Sequence, residues 1–231
     1  QASNKKDPAS TSVADFTIAV IPDTQYYVSS QNGGTPAMFT SQIDWIKANQ
    51  VAENIVYVAS VGDITDHGND VDAEWTQAAT NGYYKLESQA GFTNGIPYGT
   101  CVGNHDQTPN TGHPLTCSTA DYNAKFGANR FRPRAYYGEN YAGTGSNSND
   151  CHYDLFTAGG INFIVIYTEY DSHGDDGANM NTWVYNLLGT YNNRKAIIVS
   201  HMMNDNSNVW GTTGSTYAQG EVLWNRIKSR E

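Results

Sequence analysis

The sequence is short of basic residues, cysteine and long apolar runs, and each shortage excludes something. Thirteen Lys and Arg stand against 23 Asp and Glu, a net charge of −10 over 231 residues. A balance that acidic repels a phosphate backbone, so no nucleic-acid binding is expected from charge. It also suits a chain that holds cations, although on its own it argues this only weakly. No apolar stretch reaches the roughly 20 residues that span a bilayer. The three cysteines cannot all pair with one another, and no Cys-x-x-Cys occurs, so a thiolate zinc site is not expected. Cys101 falls in an apolar run and reads as a free buried thiol. Cys117 and Cys151 flank a long polar segment, and a disulfide between them is expected to staple it. There is no internal repeat.

What remains is enough for one large domain or two small ones. Hydrophobic residues make up 39% of the chain, sufficient for a core, and the 16 tyrosines imply that some lie on the surface or in a groove. Few Lys and Arg with abundant Asn, Gly, Ser, Thr and Tyr give the composition of an exported protein, secreted or held at the cell envelope. The first residue is Gln rather than Met, as in a mature or trimmed chain. Residues 1–14 are small and polar and are expected to be disordered, leaving 15–231 as the domain.

Read in order, Phe16 to Ile21 is an apolar run of strand length closed by Pro22. Thr35 is a candidate cap with Pro36 at the first helical position, and Phe39, Ile43 and Ile46 then follow helical spacing. Ile55 to Val61 reads as the second strand. A helix beginning near Asp70, acidic in its first turn, buries Val71, Trp75, Ala78, Ala79 and Leu86. Ile96 to Val102 reads as the third strand. Strand, helix, strand, helix, strand implies a parallel sheet with right-handed crossovers. From Gln107 to Asp150 the pattern dissolves, which reads as an inserted loop region at the substrate mouth. Cys151–Thr157 and Ile161–Tyr167 read as a hairpin, Asn179–Tyr191 as a helix, Ala196–Ser200 as a strand, Met202–Tyr217 as a polar loop and Gly220–Ser229 as a helix.

The polar motifs fall where these strands end. Asp23-Thr24-Gln25 follows the first, Gly62-Asp63-Ile64-Thr65-Asp66 the second, and Gly103-Asn104-His105-Asp106 the third. His201 follows Ile197 to Ser200. In a parallel sheet all such ends share one edge, where ligands bind. Carboxylate, amide and imidazole groups delivered together suit metal ligands beside a proton donor. One Gly-Asp or Gly-Asn-His turn would be an ordinary tight turn. Several in succession at strand ends are not.

In these motifs the chain resembles the calcineurin-like metallophosphoesterases, over about Phe16 to His201. The pair Gly-Asp-x-x-Asp and Gly-Asn-His-Asp, in this order, carries the likeness, and Asp23-x-Gln25 alone would be negligible. The resemblance implies a four-layer α/β/β/α sandwich with mixed sheets and a phosphate-ester hydrolase, either a phosphomonoesterase or a phosphodiesterase. It implies two divalent metal ions, with manganese, iron and zinc left open, and a metal-activated water. Asp63 would bridge the metals. Asp23 would hold the first, with Gln25 where the family usually has His, and Asn104 and His201 would hold the second. His105 would stay off the metals as general acid, paired with Asp66, and Asp106 would fix the turn. His67 stands where related protein phosphatases carry a phosphate-contacting Arg, so it is a candidate substrate contact, as is Asn204 beyond His201.

Two departures qualify the likeness. Gln25 is a neutral amide where imidazole is usual. The family's last motif, Gly-His-x-His, has no counterpart before Glu231, so its strand and ligands are expected to be truncated from this chain or lost. Those departures and the many tyrosines motivate a second reading, a degenerate non-catalytic module that binds an extracellular ligand or glycan. Glu169, Asp171, His173 and Asp205 fall on the same edge as possible contacts or as solvated loop. His113 and His152 read as bland. Arg130, Arg132 and Arg134 form the densest basic patch, able to steer a phosphate or serve the surface. Tyr136, Tyr137 and Tyr141 either line a groove or pack over the sheet.

Overall fold

A computed structural model describes residues 15–172, 174, 178–204 and 219–230. The expectations for residues 1–14, for His173 and Asp205, and for most of the 202–217 loop lie outside the described residues. Three parallel strands, β1 (Thr17–Ile21), β2 (Ile55–Ser60) and β3 (Tyr98–Gly99), form one sheet in the order β1-β2-β3. Their connections carry α1 (Gln25–Val28), α2 (Pro36–Asn49) and α3 (Asp72–Thr80). The following segment contributes α4 (Ala120–Phe126), α5 (Ala128–Phe131) and β4 (Tyr137–Asn140). Then come β5 (His152–Ala158), β6 (Ile161–Thr168), α6 (Ala178–Thr190), β7 (Lys195–Ser200) and α7 (Gln219–Ile227). The second sheet runs β4-β5-β6-β7, antiparallel except between β6 and β7.

Local sequence explains these elements. Pro36 opens α2 with its fixed φ where no helical N–H is needed, while Thr35 makes no side-chain cap bond. The β5–β6 hairpin closes through Gly159 and Gly160, both at positive φ (54° and 74°), with Ala158 paired to Ile161. Two successive positive φ values match the hairpin twist and suit glycine. The third strand is shorter than its apolar run. Pro97 brings no N–H to the ladder. Beyond Gly99, the Thr100 and Val102 carbonyls accept from the Tyr122 hydroxyl (3.1 Å) and the Tyr170 N–H (3.0 Å).

The sheets face each other across an aromatic core. Tyr57 of β2 stacks on Phe156 of β5 at 5.0 Å between centroids, its hydroxyl bonded to Asp154 and 3.0 Å from that of Tyr167. Phe39, Ile43 and Ile46 of α2 and Trp75, Ala78 and Ala79 of α3 join this core from the first sheet's other side. Val184, Leu187, Leu223 and Ile227 of α6 and α7 pack on Leu155, Ile164 and Ile166 of the second sheet. The layers are therefore α/β/β/α, and each large side chain buried between them contributes about 1.5–3 kcal/mol.

Residues 107–150 supply more of this core than their composition suggests. Tyr122, Phe126, Phe131, Tyr136 and Tyr137 are buried. Phe126 lies 5.5 Å from Tyr83, 5.8 Å from Tyr122 and 6.4 Å from Trp75. Tyr141 packs on Trp183 at 5.6 Å. The Arg cluster is committed to this packing. Arg130 and Arg134 share Glu87 (2.6 and 2.7 Å), and Arg132 reaches Glu139 (3.1 Å), so all three guanidinium groups are engaged within the fold.

The expected Cys117–Cys151 disulfide is not formed, and all three cysteines are free. Each thiol has partners in a different place. Cys151 is buried, accepting from the Glu169 N–H (3.2 Å) and lying 2.9 Å from Met180 Sδ. The Cys117 thiol donates to the Pro109 carbonyl (2.9 Å). Within the segment, reciprocal backbone bonds between Thr108 and Ser118 (2.9 and 2.8 Å) close the stretch 108–118. If 107–150 belongs to the core, Phe126→Ala should cost about 3–5 kcal/mol of stability in urea denaturation. A loss below about 0.5 kcal/mol would mark the segment as a detachable loop.

Candidate active site

The turn after β2 carries the central group. Asp63 adopts φ +47°, a left-handed conformation that side chains other than glycine rarely take. Neighbouring turns hold it there. Its carbonyl accepts from the Thr24 and Gln25 amides (both 3.0 Å), and its Oδ1 accepts from the His105 amide (2.9 Å). Two glycines make that approach possible. A Cβ on Gly103 would lie 2.2 Å from Asp63 Oδ1 and 2.3 Å from Asp63 N. One on Gly62 would lie 2.8 Å from His201 Nδ1. Asp106 ties the two turns, its Oδ1 accepting from Thr65 N (2.9 Å) and its Oδ2 from Gly103 N (2.9 Å). Burial and then the Asp63 charge push Asp106 up to about 7, against the amides of Gly103, Thr65 and Ile64.

His201, beyond β7, completes the edge. Its Nδ1 lies 3.0 Å from the Val61 carbonyl and 3.9 Å from Asp23 Oδ1, and its Nε2 lies 3.3 Å from Asp63 Oδ2. With Nδ1–H donated to Val61, Nε2 and Oδ2 face each other as two acceptors and need a cation or a proton between them. Burial opposes charge on His201, yet the Asp63 hydrogen bond and carboxylates outweigh it and raise its pKa to about 9. Asp23 is half-exposed, and burial raises its pKa despite the attraction of His201. Gln25 opens α1, and its Oε1 is buried without a hydrogen-bond partner. Asn104 sits partly buried on the Gly103 turn. Among the described residues no group of three or more His, Cys, Asp or Glu forms a metal-holding cluster. The charged donors are the Asp63–His201 pair with Asp23 at its margin, and the remaining candidates, Gln25 and Asn104, are amides. Oxygen and nitrogen donors without thiolate, one an orphaned buried amide oxygen, fit a divalent ion of the manganese, iron or zinc kind.

A second group of side chains adjoins this edge. His105 Nδ1 lies 2.9 Å from the Asp66 carbonyl and 3.2 Å from Asp66 Oδ1. The Asp66 and His67 amides donate to Glu74 Oε2 (2.8 and 3.2 Å), and His67 Nδ1 pairs with Glu74 Oε1 at 2.7 Å. That bond to Glu74, above all, raises the pKa of the half-exposed His67. Asp66, His67, Asp70, His105, Gln107 and Thr108 are among the residues lining a cleft of about 300 Å³. Asn204 is exposed and outside that cleft. Glu169 and Asp171 are buried supports rather than cleft residues. Gln107 Nε2 donates to Glu169 Oε1 and to the Tyr170 carbonyl (both 2.9 Å), and Gln219 links Glu169 to Asp171. His152 is buried and stacked on Tyr167 at 4.5 Å. Sequence reasoning missed Glu74 and Gln31, whose amide donates to Asp66 Oδ2. Glu74 showed only as an acidic first-turn residue, and Gln31 gave no signal.

The raised His201 pKa has a sign. In metal-free protein its contribution to stability is full below its ordinary value of 6.5 and is lost as pH rises through about 9. The stability of chelator-treated wild type against denaturant should therefore fall as pH rises across that window. The same scan of His201→Gln should lack this component, and an identical pH profile for the two proteins would contradict the assignment.

Comparison with known proteins bears on the whole chain. A family model described as calcineurin-like phosphoesterase matches residues 16–227. Over 186 residues the chain is 33% identical to an uncharacterized protein, YvnB, of Bacillus subtilis (strain 168), covering 80% of this chain. The match spans only 12% of that relative's length. With two glycine-led turns, an Asp63–His201 pair and a His105–Asp66 pair gathered at the sheet edge, the chain is a member of the calcineurin-like phosphoesterase family.

Proposed function

We propose that this chain hydrolyses phosphate esters at the Asp63 edge, with His105 as general acid. Asp23, Gln25, Asp63, Asn104 and His201 would hold two divalent metal ions. Family membership supports a metal-dependent phosphoric ester hydrolase in general terms. The observation that carries the finer reading is the Asp63–His201 pair. The Val61 carbonyl fixes the His201 ring through Nδ1, so Nε2 is aimed 3.3 Å from a carboxylate oxygen. Metal-ligating histidines are held by such a bond on the far nitrogen.

When bound, a divalent pair supplies positive charge to the phosphoryl oxygens and lowers the pKa of water. The chain's residues do the rest. Asp66 accepts at His105 Nδ1, which leaves Nε2 to give a proton to the departing oxygen. His67, whose pKa the Glu74 bond raises, adds positive charge at the cleft beside it when protonated, where an incoming phosphate gains from it. The Asp106 tie keeps the Asp63 and His105 turns in register.

With manganese present, wild type should turn over mono- or bis-nitrophenyl phosphate, and the ratio of kcat/KM on the two assigns a monoesterase or a diesterase. His105→Ala should lose roughly 10²–10⁴ in rate with unchanged metal content. Wild type that turns over neither ester, or a His105→Ala variant as fast as wild type, would sink the assignment and favour a binding module.

A further inference from the structure

Asp66 is held from a direction that none of the strand-end motifs includes. Gln31 Nε2 donates to Asp66 Oδ2, while Asp66 Oδ1 stands 3.2 Å from His105 Nδ1. Gln31 lies in the loop joining α1 to α2, 35 residues from Asp66. The loop backbone is unusual. Ser30 (φ 59°) and Asn32 (φ 49°) flank Gln31, both left-handed and neither a glycine. Such conformations persist only where their surroundings over-determine them. Here the Gln31 N–H donates to the Tyr26 carbonyl (3.0 Å), and the Gly34 N–H donates to the Gln31 carbonyl (2.7 Å). A Cβ on Gly34 would lie 2.4 Å from the Tyr26 oxygen, so the loop is seated on α1 as closely as glycine allows.

We propose that Gln31 is a positioning residue for proton delivery: its amide fixes the Asp66 carboxylate so that the other oxygen orients the His105 imidazole toward the cleft. The inference rests on the phosphoesterase reading and deepens it. A carboxylate engaged at both oxygens cannot rotate away from its imidazole. An amide is the donor that achieves this without cancelling charge. Lys or Arg in its place would neutralise Asp66 and weaken its hold on a protonated imidazole. Glu74 fixes the Asp66 backbone through its amide, and Gln31 fixes the side chain, so the pair has separate supports for separate parts.

The test uses two esters that differ in their need for a proton. p-Nitrophenolate departs with little assistance, whereas phenolate departs with much more. Both are assayed in the intact, manganese-loaded protein as wild type, Gln31→Ala and Gln31→Glu, with metal content measured for each. Gln31→Ala should lose roughly 10-fold or more on phenyl phosphate and only a few-fold on p-nitrophenyl phosphate, with metal content unchanged. Gln31→Glu keeps the shape of the side chain but sets two acceptors against each other. Its rate relative to wild type should recover as pH falls and the introduced carboxylate comes to share a proton with Asp66. The other charged groups around that pair, His105, His67 and Glu74, are common to all three proteins. Equal losses on both esters, or no loss, with wild type active would overturn the role of Gln31. Should Gln31→Ala not fold, the absence of any pH-dependent recovery in Gln31→Glu overturns it instead. Where wild type turns over only diesters, bis-p-nitrophenyl and diphenyl phosphate replace the pair. Wild type inactive on monoesters and diesters alike overturns the phosphoesterase reading, and the role of Gln31 with it.

Discussion

The close approach of three backbone turns around one carboxylate is the constraint on which the active edge depends. Asp63 sits in a left-handed conformation that costs an L-residue about 1–2 kcal/mol. It is held there because its carbonyl receives two amides and its side chain a third. None of this geometry would survive a methyl group on Gly103, which would overlap Asp63 backbone and side chain alike. The same approach puts the His105 amide on Asp63 and the His105 ring on Asp66. One steric allowance therefore couples the candidate metal-holding residues to the candidate acid.

Packing supplies the rigidity that lets polar groups be crowded at one edge. Carboxylates of Asp63 and Asp106 are buried near each other, and Asp23 is close enough to raise the charge further. Such a cluster is unfavourable unless compensated. Hydrogen-bond donors from Thr65, Gly103 and His105, and the cationic tendency of His201, provide compensation in the metal-free chain. The sandwich below it, with aromatic rings interleaved between sheets and helices on both outer faces, holds the strand ends fixed. The candidate site residues gather where the first sheet ends because its three strands are parallel and deliver every turn to the same side.

The motif residues were legible in the sequence for that same topological reason. Strands read from apolar runs, alternating with helices, imply parallel pairing, and parallel pairing turns three separated motifs into one site. The Asp66–His105 contact and the structural tie made by Asp106 were implied by the family resemblance rather than by topology, and the fold brings both sets of groups together. The supports were illegible. Gln31 reaches Asp66 from a loop with no periodicity, through a turn whose left-handed residues are Ser and Asn rather than glycine. Glu74 looked like a helix-dipole residue, and only the fold shows that it collects the Asp66 and His67 amides. Phe126, Phe131, Tyr136 and Tyr137 are core residues scattered through polar sequence at no regular spacing, so 107–150 read as a loop. The cysteine pairing failed because flanking a segment in sequence says nothing about where two thiols lie in space. Arg130 and Arg134 looked free to meet a phosphate because their shared partner, Glu87, is more than 40 residues away.

The central claim is that Asp63 organises a metal site as well as a turn. It is tested most directly by manganese retained per chain after desalting, in wild type and in Asp63→Asn. The substitution preserves shape and keeps an oxygen available to the His105 amide, but removes the charge. The account predicts up to two ions per wild-type chain and a clear loss in the variant, with both proteins folded. Equal retention in the two, or none in wild type at saturating manganese, would contradict it.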